Sequence, residues 1–338
     1  MGLDIQKDSI SIAVAEPARM PGRLIGEVMH NVSKLFKVLS KVGNANPLYN
    51  QLITMTALAL LCQISASQAK ASEVRFTAVK SHQSVTATLG RPADGAAGDQ
   101  GAAAVVLLHH GGGCADSQTG AYATALNAAG FFTLEPCLFA NVMQRERVAA
   151  SYLPQVFGAL RYLAQLPGVD RTRIAISGGS YGGTLTLLSA TRWARENHSD
   201  SSFPAFAAHV PFYPPCFIIE RFIRSGRSLP QIPADAYSRY TGAPIRIFAG
   251  TMDDYEDRDP QSCASMVTAM GDEAKTLVSI RLFDGATHGW DHGRTYRFFE
   301  AVACKGRGCE NRNVSNPEIT QRGIEEMIMF LKASLRGP

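Results

Sequence analysis

The sequence predicts an α/β fold in which a mostly parallel, doubly wound sheet is covered by helices on both faces. The run Ala102–Leu108 is apolar without alternation, as in a strand that is buried on both faces. From there to the C-terminus, strand-like and helix-like segments alternate. At 173–185 a β-branched strand runs into a glycine-rich turn and directly into a helix. An N-terminal antiparallel hairpin is expected to complete the sheet.

The segments of this fold follow one another in a regular order. Residues 73–79 and 84–90 alternate apolar and polar side chains around a polar break, which indicates the edge hairpin, and the Gly-rich and Ala-rich segment 91–101 is a loop. No internal repeat interrupts the pattern, so 72–338 is expected to be one domain. Beyond strand 102–108 the expected order is helix 121–129, strand 131–139, helix 148–165, strand 173–177, helix 184–196, strands 205–212 and 244–249, helix 260–270, strand 277–283 and helix 317–335.

The first 71 residues differ in character and are expected to form an N-terminal extension that contains a signal peptide. An apolar run at 53–64, too short to span a bilayer, follows three lysines between positions 34 and 41 and precedes small residues at 65–71. Cleavage after Ala69 or Ala71 fits the small-x-small pattern, and Met29 is the expected start because 1–28 would make a long lead. The alternative is a membrane anchor or a core helix.

The cysteine content agrees with export to the periplasm or the medium. Without Cys62, which lies in the apolar run, six cysteines remain, an even number that an oxidising compartment favours. Cys304 and Cys309 are close enough along the chain to close a small loop. The sequence predicts no metal site, because these cysteines form no Cys-x-x-Cys pair and no histidine cluster accompanies them.

The charge distribution predicts no nucleic-acid partner. The formal net charge is +4, and most of it comes from the first 70 residues, where seven Lys and Arg face four acidic residues. No basic patch stands out in the remainder. Contact with a membrane is expected only transiently, through the signal peptide.

Ser180 is the candidate nucleophile. It lies between the strand and the helix in Gly178-Gly179-Ser180-Tyr181-Gly182-Gly183, a G-x-S-x-G turn. Gly178 and Gly182 leave room for the neighbouring chain, and the first N–H groups of a helix have no partner inside it. The Tyr181 N–H is therefore expected to hold an oxyanion.

A second oxyanion donor is expected after strand 102–108, where His109-His110-Gly111-Gly112-Gly113 follows. Glycine lets a backbone N–H approach a substrate carbonyl without a side chain in between. Either histidine could begin this motif, so the donor is Gly111 or Gly112, with Gly111 preferred.

The acid and the base that a serine nucleophile needs are expected in strand-end loops, in the order Ser, Asp, His. The loop after strand 244–249 presents four carboxylates, of which Asp253 and Asp254 come first. His288 follows strand 277–283, precedes a glycine and comes after the acid. His292 is nearby but lies further from the strand.

Two longer segments interrupt the alternation of strands and helices. Residues 214–242 carry several aromatic residues and arginines and fall where a cap over a pocket would lie. Residues 293–316 contain Cys304 and Cys309 and are expected to be a plain surface excursion.

Together these motifs resemble the α/β-hydrolase superfamily, and most closely the dienelactone hydrolase family, over 102–338. The resemblance implies an α/β-hydrolase fold, favours Asp253 over Asp254 as the acid, and suggests a Cys216–Cys263 bridge of exported members. It implies a serine esterase or lactonase that acts on a small-molecule ester or lactone without a cofactor. The best known dienelactone hydrolases use cysteine where this chain has Ser180, so activity on dienelactone does not follow.

Two alternatives belong to other functional classes. The elbow sequence is also similar to that of prolyl-oligopeptidase-type serine peptidases, although no propeller-sized region precedes it. A non-catalytic binding protein with a hydrolase fold is the other alternative, against which an intact set of Ser, Asp and His argues.

Overall fold

The protein is described by a computed structural model that covers residues 2–5, 9–14, 23–29, 71–92, 101–200, 202–229 and 231–336. Three strands near the N-terminus, β1 (Gly2–Ile5), β2 (Ser9–Val14) and β3 (Arg23–Met29), pair antiparallel in one small sheet. Residues 30–70, which include the apolar run 53–64 of the predicted signal peptide, lie outside the described residues. Met29 is the last residue of β3.

The main sheet has eight strands and confirms the predicted fold class. Its order is β11-β10-β9-β8-β6-β7-β5-β4. β4 pairs antiparallel with β5 in the predicted hairpin, β5 pairs antiparallel with β7, and all other neighbours are parallel. The strands are β4 (Ser72–Thr77), β5 (Ser84–Gly90), β6 (Ala102–Leu108), β7 (Phe132–Pro136), β8 (Val169–Gly179), β9 (Ala208–Phe212), β10 (Ile245–Gly250) and β11 (Val278–Phe283).

Helices cover both faces of this sheet, as the apolar pattern predicts. Successive residues of β6 alternate between two hydrophobic clusters, one on each face. The α-helices of six or more residues in this part of the chain are α1 (Thr119–Ala128), α2 (Leu153–Gln165), α3 (Tyr181–Ser189), α4 (Arg192–His198), α5 (Cys216–Ser225), α6 (Ser262–Met270), α7 (Asp272–Leu277) and α8 (Pro317–Ser334).

The predicted single helix 184–196 is wrong, because the chain breaks between α3 and α4. Thr191 has an extended backbone, and its side chain accepts a hydrogen bond from the Ala194 N–H as the N-cap of α4. Segment 214–242 also reaches this point, where the Arg192 N–H donates to the Arg239 carbonyl. A threonine that caps a new helix and a backbone contact from a distant segment therefore end α3.

The two longer segments contain structure that the sequence did not reveal. Helix α5 lies in 214–242 and packs on α6. Segment 293–316 forms the antiparallel hairpin β12 (Tyr296–Glu300) and β13 (Cys309–Asn313). It is more than the expected surface excursion, because the Cys304 and Lys305 N–H groups donate to the carbonyls of Asp254 and Tyr255. The hairpin thus holds the loop that follows β10.

Within the described ranges, the helices are too short or too polar to cross a membrane.

Candidate active site

The turn between β8 and α3 holds Ser180 in a conformation that few side chains adopt. Ser180 has φ 52° and ψ −111°, and its N–H donates to the Phe212 carbonyl over 2.9 Å. A side chain at Gly178 would come within 2.8 Å of the backbone of Gly182, and one at Gly182 within 2.7 Å of the His109 carbonyl. Both glycines are needed because the backbone passes this close.

Ser180, His288 and Asp253 form one hydrogen-bonded series. The Ser180 Oγ lies 2.8 Å from His288 Nε2, and His288 Nδ1 lies 2.9 Å from Asp253 Oδ2. The Asp253 carboxylate accepts, so Nδ1 donates to it, and in the neutral imidazole Nε2 then accepts from the serine hydroxyl. His288 and Asp253 are both buried. This tautomer is the one in which an imidazole can take a proton from a serine.

The neighbouring carboxylate, Asp254, faces away from this series. Its Oδ1 accepts from Arg258 Nε over 2.8 Å, and its Oδ2 accepts from the Arg312 N–H over 2.9 Å. Asp253 Oδ1 instead accepts from the Tyr255 N–H over 2.9 Å. The structure therefore brings Asp253 to His288 and uses Asp254 to hold β13.

The loops that carry Asp253 and His288 are joined to each other at the strand ends. The Met252 N–H donates to the Ala286 carbonyl over 2.8 Å, and Thr251 Oγ1 accepts from the Gly285 N–H over 2.9 Å. Gly250 has no room for a side chain, because a Cβ there would overlap the Ala286 carbonyl oxygen. These contacts fix the acid relative to the base.

Two backbone N–H groups beside Ser180 are available to a substrate. Among the described residues, neither the Gly111 N–H nor the Tyr181 N–H donates to a protein acceptor. The Gly112 N–H donates to His110 Nδ1 over 3.0 Å. Gly112 is thus engaged within its own loop, and Gly111 and Tyr181 are the candidate oxyanion donors.

The histidines around the site have structural partners. His109 donates from Nδ1 to the His110 carbonyl and accepts at Nε2 from the Leu138 N–H over 3.1 Å, which ties the end of β6 to the segment after β7. The rings of His110 and His292 stack with centroids 4.2 Å apart. Burial lowers the pKa of His292 to about 4 and also lowers the pKa of His110, so both rings are neutral near pH 7.

Three residues that the sequence analysis did not identify line this site. Arg145 lies against Gly111, and its guanidinium is 5.6 Å from the centre of the Tyr181 ring. The rings of Tyr213 and Tyr255 lie on His288, with centroids 4.9 and 4.1 Å from the imidazole. Tyr255 belongs to the predicted acid loop, so its position after Asp253 was the available signal. Nothing in the sequence pattern distinguished Arg145 or Tyr213.

A second buried carboxyl lies behind Asp253. Glu256 accepts from the Phe217 N–H over 3.1 Å and from the Ser262 hydroxyl. Burial raises the pKa of Glu256 to about 8, and the nearby Asp253 charge acts in the same direction. Glu256 connects the acid loop to the first turns of α5 and α6.

Three disulfide bridges join loops around this edge of the sheet. They pair Cys114 with Cys137, Cys216 with Cys263, and Cys304 with Cys309. The first bridge fastens the loop that carries Gly111 to the segment after β7, a pairing that the sequence left open. In the described part of the chain, no group of three or more His, Cys, Asp or Glu side chains is arranged to hold a metal ion.

Comparisons with known proteins find a family model that matches part of the chain and solved structures that share its fold. The model of the prolyl oligopeptidase family matches residues 141–218, which include Ser180. No curated protein matches the chain. Thermogutta terrifontis esterase 2, in structures phosphoramylated by tabun and phosphorylated by paraoxon, is 19% identical, with TM-scores of 0.56 and 0.55. These matches cover 80% of this chain and 98% and 97% of the esterase chain, respectively.

The propionate-bound structure of that thermophilic esterase gives the same result. It is 19% identical and covers 81% of this chain and 97% of its own, with a TM-score of 0.56. At this identity the likeness concerns the fold alone. The chain has the α/β-hydrolase fold.

Proposed function

We propose that the protein is a serine hydrolase that cleaves carboxylic esters or lactones through an acyl-enzyme. The observation that carries the proposal is the series Ser180–His288–Asp253, with distances of 2.8 and 2.9 Å, next to two N–H groups without protein acceptors among the described residues. Each part supplies one requirement of acyl transfer: a nucleophile, its base, an acid that orients the base, and oxyanion donors.

In the first half of the reaction, His288 Nε2 takes the proton of the Ser180 hydroxyl while Oγ attacks the substrate carbonyl carbon. The Gly111 and Tyr181 N–H groups donate to the oxygen that becomes negative. The tetrahedral intermediate then collapses and the bond to the leaving oxygen breaks. That oxygen takes the proton from His288, so the alcohol leaves neutral and Ser180 carries the acyl group.

In the second half, water replaces the alcohol. His288 takes a proton from the water, whose oxygen attacks the acyl carbon, and the same N–H groups hold the second oxyanion. Cleavage of the bond to Ser180 Oγ releases the carboxylic acid, and His288 returns its proton to the serine. Asp253 stays ionised throughout and stabilises the imidazolium that forms in each half.

The preference for an ester over an amide rests on the resemblance to dienelactone hydrolases and on the fold shared with the Thermogutta esterase. An aminoacyl amidase or peptidase is the second candidate, and the match of 141–218 to the prolyl oligopeptidase family favours it. Both candidates use the same residues, so the substrate distinguishes them.

The test measures the hydrolysis of three substrates by the wild type and by Ser180→Ala. We expect turnover of p-nitrophenyl acetate and of an aryl lactone such as dihydrocoumarin, with kcat/KM for both well above that for an aminoacyl p-nitroanilide. Ser180→Ala should lose about 10⁴-fold or more in kcat. A higher kcat/KM for the anilide would establish the amidase instead, and undiminished ester hydrolysis by Ser180→Ala would contradict the mechanism.

We also propose that the protein is exported to the periplasm or the medium. The support is the apolar run at 53–64 with small residues after it, together with six cysteines paired in three bridges. N-terminal sequencing of the protein from a secreting host should begin at Lys70 or Ser72, the residues that follow the two expected cleavage positions. A mature protein that keeps residues 53–64 would exclude cleavage.

A further inference from the structure

The imidazole of His288 lies between two tyrosine rings that meet it differently. The Tyr255 ring is 4.1 Å from it, centroid to centroid, with only 32° between the planes. The Tyr213 ring is 4.9 Å away and is inclined by 65°. Tyr255 therefore presents the face of its ring to His288, whereas Tyr213 packs at a steep angle.

We infer that the face of the Tyr255 ring stabilises the protonated form of His288 and so speeds the steps in which that proton is held. The inference rests on the proposed function and deepens it. An aromatic face carries negative charge density and attracts a cation within about 6 Å of its centre, more strongly where water is excluded. His288 is 3% exposed, so the contact is almost dry.

The contact between Tyr255 and His288 becomes attractive only while the imidazole carries the extra proton, and it therefore affects the rate. His288 begins the proposed reaction as the neutral imidazole, whose Nε2 can take the Ser180 proton. It becomes positive in the transition states of acylation and deacylation, and only then does the Tyr255 face attract it. An interaction that strengthens in the transition state raises kcat, whereas one of equal strength throughout lowers only KM. Tyr255 is a positioning residue in this account, since it acts through His288 and not on the substrate.

Three contacts hold Tyr255 against His288 in the absence of substrate. Its N–H donates to Asp253 Oδ1 over 2.9 Å, its carbonyl accepts from the Lys305 N–H over 3.1 Å, and its hydroxyl donates to Glu300 Oε2 over 3.3 Å. Burial raises the pKa of the Tyr255 phenol, with Glu300 adding to the effect, so the ring remains a neutral phenol at neutral pH. The β12–β13 hairpin thereby supports a ring that acts on the catalytic base.

The other titratable groups near His288 do not supply the same effect. Asp253 is the hydrogen-bond partner of Nδ1, and the Tyr213 hydroxyl is directed to Asp291 over 2.6 Å. His110 and His292 are neutral near pH 7 because burial lowers their pKa. Titratable groups near His288 come from several elements. Those that follow strands are Ser180 after β8, His110 after β6, Tyr213 after β9, and Asp253, Tyr255 and Glu256 after β10. The others are Asp291 and His292 on the loop of His288 itself, Glu300 on β12, and Arg145 across the site.

The test measures the pKa of His288 in Tyr255→Leu and Tyr255→Phe, by NMR titration of the imidazole and from the acid limb of kcat/KM against pH. Leu keeps an apolar cover but has no π face, so we expect the pKa to fall by about 0.5–1 unit. The acid limb should move to lower pH, while kcat at the plateau falls about 3–10-fold. Phe keeps the face and should keep the wild-type pKa.

The sign of the shift separates this role from simple burial. If Tyr255 only excluded water, its removal would ease charging of His288, and the pKa would rise. An upward or absent shift in Tyr255→Leu, or an equal fall in Tyr255→Phe, overturns the inference. If Tyr255→Leu does not fold, Tyr255→Trp decides, since its stronger face should raise the pKa.

The NMR titration needs no turnover and therefore separates the two proposals. A downward shift in a protein that hydrolyses none of the substrates would support the Tyr255 contact and contradict the proposed function. Turnover that depends on Ser180, with an unchanged pKa in Tyr255→Leu, would support the function and contradict the contact.

Discussion

Asp253 and Asp254, which are adjacent in the loop after β10, have separate roles because their side chains point in different directions. Asp253 is buried against His288, whereas Asp254 is held by Arg258 and by the backbone of Arg312. The spacing from Gly250 favoured Asp253 only through a family resemblance. The hydrogen bonds supply the physical reason for that preference, because a single carboxylate reaches the imidazole.

Replacement of each carboxylate by its amide tests this difference. In Asp253→Asn the amide can donate to Nδ1 and favour the wrong tautomer of His288, so we expect kcat to fall by about 10⁴. Asp254→Asn keeps the oxygen that accepts from Arg312 and should lose at most about tenfold. Steady-state kinetics on p-nitrophenyl acetate checks the pair, and equal losses in both variants would contradict the assignment.

The buried carboxyl of Glu256 gives the folded state a particular pH dependence. Its pKa is raised to about 8 from an ordinary value of 4.5, so the folded chain holds a proton that the unfolded chain has released. The free energy of unfolding therefore falls as pH rises from about 4.5 to 8. Glu256→Gln removes this penalty.

We expect the free energy of unfolding of Glu256→Gln, relative to that of the wild type, to be higher at pH 8 than at pH 5. Urea unfolding at both pH values measures this free energy. The exposed Glu325→Gln serves as the control, and its free energy of unfolding should differ from that of the wild type by the same amount at both pH values. A Glu256→Gln difference that does not grow with pH would show that the carboxyl is already ionised at pH 5.

At the scale of elements, the sequence predicted the strands that are specified by burial and the turns that are specified by backbone geometry. Strands β6, β10 and β11 follow from apolar runs, and Ser180, His288 and the acid loop that carries Asp253 and Asp254 follow from glycine-bearing turns at strand ends. The hairpin β12–β13 and helix α5 were not predicted, because the partners that stabilise them, the acid loop and α6, are distant in the chain. Arg145, Tyr213 and Tyr255 meet around Ser180 and His288 only in the folded chain.

Gly250 is the last residue of β10 and lies against the loop that carries His288. Its substitution therefore tests how far the active site depends on the packing of the strand ends. In Gly250→Ala the new methyl group would overlap the Ala286 carbonyl, and the acid and base loops would separate. We expect a loss of about 1–3 kcal/mol in stability and about 10²-fold in kcat/KM. Gly120→Ala, in α1 with nothing within 4 Å of the added methyl, is the control and should lose neither stability nor activity. Wild-type kinetics in Gly250→Ala would show that the loops tolerate separation.

For the whole molecule, the three disulfide bridges lie at the same edge of the sheet as the candidate site. Cys114, Cys137, Cys216 and Cys263 follow the ends of parallel strands, and the Cys304–Cys309 bridge lies in the segment after β11. Such bridges contribute about 2–4 kcal/mol each by restricting the unfolded chain. The sheet supplies the core, and the bridges fasten the loops that carry the chemistry.

The acid stability of the whole domain should depend on histidines that are buried in the neutral form. Burial lowers the pKa of His109 and His292 to about 4 and of His209 to about 3, from an ordinary 6.5. The unfolded chain then binds protons that the folded chain does not. Stability is therefore complete above about pH 6.5 and falls toward pH 4, by up to about 1.4 kcal/mol per pH unit for each histidine.

Unfolding of His209→Leu between pH 4 and 7 checks this dependence. His209 lies in the core, so its replacement should flatten the acid side of the stability curve without affecting the series Ser180–His288–Asp253. The exposed His82→Gln is the control and should leave the slope unchanged. An unaltered slope in His209→Leu would mean that His209 is not a source of acid sensitivity.

The central claim is that Ser180 is a nucleophile activated by His288. The most direct measurement is reaction of the folded protein with a fluorophosphonate, followed by intact-mass analysis and peptide mapping. We predict one adduct per chain, on Ser180, absent in Ser180→Ala and strongly slowed in His288→Ala. An adduct on another residue, or none on protein that hydrolyses esters, would contradict the account.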